Sequence, residues 1–145
     1  MKIRNFIITF VSAIALLLST STISLAKVVG DKIILGAAVS LTGKYSTNGK
    51  HTQNGYNLAV ERINKKGGVS VGGKSYKFEI IYYDDESNPK RAAQLAERLI
   101  KQDGVHYMLG RYSSGLTNAI APVTEKYKIP MVEANGASRS LFTKG

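Results

Sequence analysis

Ile33-Ile-Leu-Gly-Ala-Ala-Val39, running directly into Ser40-Leu-Thr-Gly-Lys-Tyr-Ser-Thr-Asn48, decides the fold. The first half is short and almost continuously apolar, the pattern of a strand covered on both faces, as in a parallel sheet. The second half is polar and reads as a loop from Ser40 to Asn48. From about Thr52, the residues Tyr56, Ala59, Val60 and Ile63 return at helical spacing, and Gly67-Gly68 supplies the left-handed stop. A buried strand, a polar loop and a helix make the first unit of an alternating α/β chain.

The same unit recurs downstream. Gly72-Gly73 marks a hairpin leading into a strand over Tyr76 to Tyr83, where aromatic and β-branched residues dominate. Asn88-Pro89 offers an N-cap and a first-turn proline to a helix whose apolar face is Ala92, Leu95, Ala96, Leu99 and Ile100. Val105 to Leu109 is a third strand, Arg111 to Gly115 a polar loop, and Leu116, Ala119, Ile120, Val123 and Tyr127 the face of a third helix containing Pro122. Met131 to Glu133 is a fourth strand, followed by Ala134 to Ser138 and the start of another helix. The expected fold is α/β: an open parallel sheet with helices on both faces. With the common strand order 2-1-3-4, winding reverses between the first and third strands, and a crevice opens at their carboxyl ends. The loops lining it are Ser40 to Asn48, Arg111 to Gly115 and Ala134 to Ser138, all rich in Ser, Thr, Asn and Gly.

The first 26 residues read differently. Lys2 and Arg4 precede an apolar run from Phe6 to Leu18, and Ser24-Leu25-Ala26 offers a small-x-small cleavage site. This predicts a cleaved export signal over 1–26 and a domain over 27–145, placing the protein in the periplasm. Without Lys2 and Arg4 the 20 basic side chains fall to 18, against 10 acidic, a formal charge of +8. These charges are scattered, with no basic block and no interleaved aromatics, so nucleic acid is not an expected partner. There is no cysteine, which excludes disulfides, thiol chemistry and Cys-ligated metal. No cofactor or metal site is expected.

Several motifs need weighing. Gly68 to Ser75 matches the phosphate-loop pattern G-x-x-x-x-G-K-[ST], but a helix precedes it and a strand follows, the inverse of the order that converges amides on phosphate. Ser113-Ser114-Gly115 falls where the third strand gives way to the third helix, and so presents hydroxyls and free amides to a carboxylate. Asp84-Asp85-Glu86 reads as a turn at a strand end. Arg111 is a candidate for either an anion contact or an ion pair, and Glu133 for an ammonium contact or a plain surface charge. His51 and His106 are expected to be surface or packing residues.

Taken together, LGAAVSLTGKYSTNGK, NGYNLAVERINKKGGV, YYDDESNP, MLGRYSSGLT and IPMVEANGASRSLF resemble the type I periplasmic solute-binding proteins of ABC importers, specifically the leucine/isoleucine/valine-binding group. The resemblance covers nearly all of Lys32 to Gly145 and implies the first, incomplete lobe of a two-lobed protein. Such a protein closes over an amino acid and presents it to an inner-membrane permease. It implies that Ser114, with Ser113 beside it, binds the ligand carboxylate, and that Gly136, Ala137 and Ser138 hold the ammonium and carboxylate. At the position where the family places an aromatic residue, this sequence has Asn48, with Tyr45 nearby, a departure that bears on any aliphatic preference. The expected function is capture of an amino acid or related small zwitterion without catalysis. The alternatives are the ligand-binding half of a sensor of the same fold and an exported hydrolase using Ser114 with Asp84 and Asp85.

Overall fold

The computed structural model describes Val28 and residues 30–143; the expected signal over 1–26 lies outside them. The described elements run β1 (Lys32–Val39), α1 (Ser46–Lys65), β2 (Val69–Val71), β3 (Lys74–Asp84), α2 (Pro89–Lys101), β4 (Tyr107–Leu109), α3 (Ser114–Tyr127), β5 (Met131–Val132) and a 3-10 turn over Arg139–Leu141. The sheet order is β2-β3-β1-β4-β5. β1 pairs in parallel with β3 from Lys32 opposite Lys77 to Val39 opposite Asp84, and with β4 at Leu35 opposite Tyr107. β4 and β5 are also parallel, while β2 runs antiparallel to β3. Setting the β2 hairpin aside, the parallel strands take the expected order, with the winding reversal between β1 and β4.

β1 is the centre because both its faces are covered. Ile33, Leu35, Ala37 and Val39 point to one layer with Leu109, against which Tyr56 and Val60 of α1 and Phe78, Ile80 and Tyr82 of β3 pack. The intervening Ile34 and Ala38 meet Ala92, Ala96 and Leu99 of α2, Ile120 of α3, Val105 and Met108. That two-residue alternation with both faces apolar explains why the segment reads as an unbroken hydrophobic run. Gly36 belongs to the second layer, where a Cβ would lie 2.9 Å from the Met108 sulfur. Small residues here let α2 and α3 approach the sheet.

Local signals explain most boundaries. The Asn88 side chain accepts from the Arg91 amide and Pro89 opens α2, as its sequence predicts. Gly72 and Gly73 both have positive φ in the β2–β3 turn, so the phosphate-loop lookalike is a hairpin. Two boundaries differ from expectation. α1 begins at Ser46, six residues before Thr52, so Asn48 belongs to a helix and the first loop is shorter than Ser40 to Asn48. Likewise α3 begins at Ser114, which takes Ser114 and Gly115 out of the second loop. The early start of α1 rests on Gly43, whose positive φ forms the turn and whose carbonyl accepts from the Ser46 amide at 3.1 Å, and on close packing at Gly49. The buried face of α3 also turns toward Thr117 and Thr124, while Ala119, Val123 and Tyr127 are half-buried.

Two glycines of α1 make opposite predictions. A Cβ at Gly49 would collide with the Ser40 carbonyl, whereas at Gly55 it would meet nothing within 4 Å. Gly55→Ala is expected to raise stability by about 0.5–1 kcal/mol through helix propensity. Gly49→Ala should lower it by displacing the first turn of α1 from β1. Urea unfolding of the two variants measures the contrast, and equal stabilisation would show that α1 does not seat on Ser40.

Candidate functional site

Parallel pairing puts the ends of β1, β3, β4 and β5 at one rim, and a buried ion pair ties three of them together. Arg111, just after β4, is 1% exposed, and its Nη2 meets Asp85, the fully buried residue after β3. The same nitrogen donates to Ser40 Oγ at 2.9 Å, and Ser40 Oγ donates to Asp85 Oδ1 at 2.7 Å. Burial pulls the guanidinium down to about 10, against the nearby Glu133 and Asp84 charges, so it remains cationic at neutral pH. Arg111 is thus an ion-paired structural residue. Its Nε and Nη1 find no hydrogen-bond partner among the described residues, so the pair fixes position more than it adds stability.

Asp84 secures the same rim from outside. Its Oδ1 accepts from the amides of Leu41 at 2.9 Å and Glu86 at 2.9 Å, and its Oδ2 from the Thr42 hydroxyl at 2.7 Å. Burial pushes its carboxyl up, but the hydrogen bonds from Thr42, Glu86 and Leu41 outweigh it and hold it below the usual aspartate range. The Asp84-Asp85-Glu86 cluster is therefore a turn that binds β1 to β3. Both predicted histidine roles fit the packing: His106 is buried and its Nδ1 accepts from the Ile34 amide at 2.8 Å, while His51 is exposed.

Glu133 departs from both roles considered for it. Half-buried after β5, it turns back to accept from the amides of Asn135, at 2.6 Å, and Gly136, and from the Thr117 hydroxyl at 3.1 Å. Gly110 and Gly136 make room for it, since a Cβ at either would press on its carboxylate. The Gly136 amide is thereby committed to Glu133. One residue pair joins the last two loops: Ser114 Oγ accepts from the Ser138 amide at 3.0 Å, which leaves the serine proton free to donate outward. Ser113 caps α3, accepting from the Leu116 amide at 3.4 Å, and holds φ at +81°, a strained value for a residue with a side chain. Ala137 is exposed and Ser138 half-buried.

Beside these loops lies an open cleft of about 520 Å³, lined by Asn48, His51, Thr52, Gly55, Tyr56, Tyr112, Ala134 and Asn135. Of the residues picked from sequence, Asn48 lines it directly, while Ser113 and Gly136 follow the lining residues Tyr112 and Asn135 in the chain. Tyr45 is not part of the lining; its ring stands edge-on to that of Tyr112 with centroids 5.6 Å apart. Burial, with Glu133 and Tyr82 adding to it, raises the Tyr56 phenol well above its ordinary value, so it stays protonated and donates to the Gly110 carbonyl at 2.7 Å. Thr52, Tyr56 and Asn135 were absent from the sequence-derived site. With α1 starting at Ser46, Asn48, Thr52 and Tyr56 fall at i, i+4 and i+8 on one face, which is the signal that would have found them.

An open parallel sheet with a cleft at its winding reversal is an α/β lobe of the small-molecule-binding kind. Residues 32–144 match the periplasmic binding protein family, and the chain belongs to it. It is 27% identical over 125 residues to the Leu/Ile/Val-binding protein BraC3 of Rhizobium johnstonii, covering 86% of this chain and 33% of that one. Among solved structures it resembles the branched-chain amino acid transporter substrate-binding protein LivJ of Streptococcus pneumoniae in complex with isoleucine (TM-score 0.68, 28% identity, 76% of this chain and 30% of the other). It also resembles an ABC transporter solute-binding protein of R. palustris in complex with 4-hydroxybenzoate (TM-score 0.61, 32% identity, 77% and 29%). The chain spans about a third of the length of these relatives. The architecture is the type I lobe expected from sequence. Among the described residues no helix is long and apolar enough to cross a membrane.

Two outcomes follow from the rim. Asp85→Ala should cost about 3–5 kcal/mol by leaving Arg111 buried without its partner, and Arg111→Met with Asp85→Leu should recover most of that loss. Denaturant unfolding of single and double variants reads this, and additive losses would refute the pairing. Because the folded pKa of Asp84 is depressed, its contribution is complete above the ordinary aspartate value near about 4 and vanishes as pH falls through the lower folded value. Asp84→Asn should therefore weaken the protein at pH 7 and flatten its acid decline, as followed by urea midpoints between neutral and strongly acidic pH. Parallel declines would clear Asp84 of that role.

Proposed function

We propose that this chain forms part of an extracytoplasmic substrate-binding protein of an ABC importer, which captures an amino acid or related small carboxylate without covalent chemistry. The ligand carboxylate would sit at Ser114 and Ser113, with the loop of Gly136, Ala137 and Ser138 behind it and Asn48 and Tyr45 on the α1 side. The observation that carries this reading is the 3.0 Å contact between Ser114 Oγ and the Ser138 amide, which joins the loops after β4 and β5 beside the cleft at the switch point. An anion there meets the first amides of α3 and the positive end of its dipole. The strained φ at Ser113 supports the reading, because such backbone persists where a ligand clamp demands it.

The family supports an importer role, and the ligands bound by two relatives, isoleucine and 4-hydroxybenzoate, share one carboxylate and little else. The permease would meet the complete protein outside the cytoplasm after removal of residues 1–26. The hydrolase alternative is disfavoured by what its supposed partners do: Asp84 and Asp85 are engaged with Thr42, Ser40 and Arg111, away from Ser114.

Ser114→Ala removes a hydrogen bond to a charged group and is expected to weaken binding by about 1.5–3 kcal/mol. Titration calorimetry of the protein purified from its native gene, against amino acids and aromatic carboxylates, measures it. Unchanged affinity would remove Ser114 from the site.

A further inference from the structure

The cleft wall is polar where an aliphatic side chain would need it dry. Asn48 and His51 stand on α1, and the Asn48 amide and His51 imidazole make no hydrogen bond among the described residues. Opposite them, Asn135 gives its side-chain nitrogen to the Thr52 hydroxyl at a long 3.4 Å, leaving its side-chain oxygen without a donor among the described residues. Thr52 in turn donates to the Asn48 carbonyl at 3.0 Å, so its oxygen is already engaged. Tyr56 directs its hydroxyl away, to Gly110, and contributes ring surface, as does Tyr112. The wall therefore presents two aromatic surfaces and three polar side chains able to hydrogen-bond a ligand. The carboxylates near this rim are held elsewhere: Asp84 and Asp85 in the β1–β3 turn, Glu133 under its own loop.

We infer that this cleft selects a small carboxylate whose far end carries a neutral hydrogen-bonding group, an amide or a hydroxyl, over one ending in a branched alkyl chain, with Asn48, His51 and Asn135 as the specificity-determining residues. The inference rests on the carboxylate-capture reading above and deepens it. A branched alkyl end would strip water from Asn48, His51 and Asn135 and return no hydrogen bond, which is the asymmetry by which polar sites reject apolar analogues. A neutral amide or hydroxyl replaces that water. An ammonium at the far end would find no carboxylate among these groups, and the inference excludes it.

Matched pairs of nearly equal shape test this: asparagine with leucine, threonine with valine, and 4-hydroxybenzoate with 4-methylbenzoate. With the protein purified from its native gene, calorimetric titration should find the polar member of at least one pair bound about tenfold or more tighter than its apolar partner. Asn48→Leu should erase or reverse that ratio, and His51→Leu, an exposed and structurally undemanding position, should reduce it. Tighter or equal binding of the apolar members overturns the inference while leaving carboxylate capture intact, as does a polar preference that neither variant changes. Binding of no member of any pair overturns carboxylate capture itself, and this inference with it.

Discussion

A single buried guanidinium holds the binding edge of this sheet together. Arg111 follows β4, Asp85 follows β3 and Ser40 follows β1, and the three meet with no exposure to solvent that would let them part. Burying such a pair costs as much desolvation as its attraction returns, so its contribution is geometric. Without it, three chain segments leaving three strands would have independent directions. With it, the start of α1 and the start of α3 are held in one frame, because Gly49 rests on the Ser40 carbonyl and Ser113 lies two residues beyond Arg111.

The architecture was legible because β1 announces itself. Ile33 to Val39 has apolar residues at both parities, and only a strand sandwiched between helix layers needs that. The Asn88-Pro89 start, the Gly72-Gly73 turn and the apolar face of α2 each follow from local chemistry and appear where that chemistry puts them. The start of α1 was not legible for the opposite reason. Ser46-Thr-Asn-Gly-Lys contains weak helix formers, and the turn that begins the helix is held by nonlocal bonds, among them the Tyr45 amide donating to the Ser87 hydroxyl at 3.1 Å. A contact between residues 42 positions apart leaves no periodic trace.

The site was legible at the level of loops and much less at the level of atoms. Strand order alone sends the loops after β1, β4 and β5 to one edge, so Ser114 and Ser138 belong together before any distance is known. The direction of a side chain is another matter. Glu133 at a strand end reads as an open charge, and nothing in its neighbours says that it folds back onto two amides. The clue was Gly110 with Gly136: two residues without side chains, at each of which a Cβ would press on the Glu133 carboxylate. Thr117 was overlooked similarly, since a polar residue on a helix reads as exposed until the acceptors within reach of its one hydroxyl proton, the Arg111 and Ser113 carbonyls and the Glu133 carboxylate, are seen.

These placements divide the rim by charge. Three carboxylates there are engaged internally: Asp84 by amides and the Thr42 hydroxyl, Asp85 by Arg111 and Ser40, Glu133 by its own loop and Thr117. What lines the cleft carries no carboxylate: side-chain amides, a hydroxyl, an imidazole and two aromatic rings. The same bonds prevent the loops from collapsing onto the space the ligand would take. The ion pair behind the rim fixes where the loops stand, and Asn48, His51 and Asn135 line the space those loops leave open.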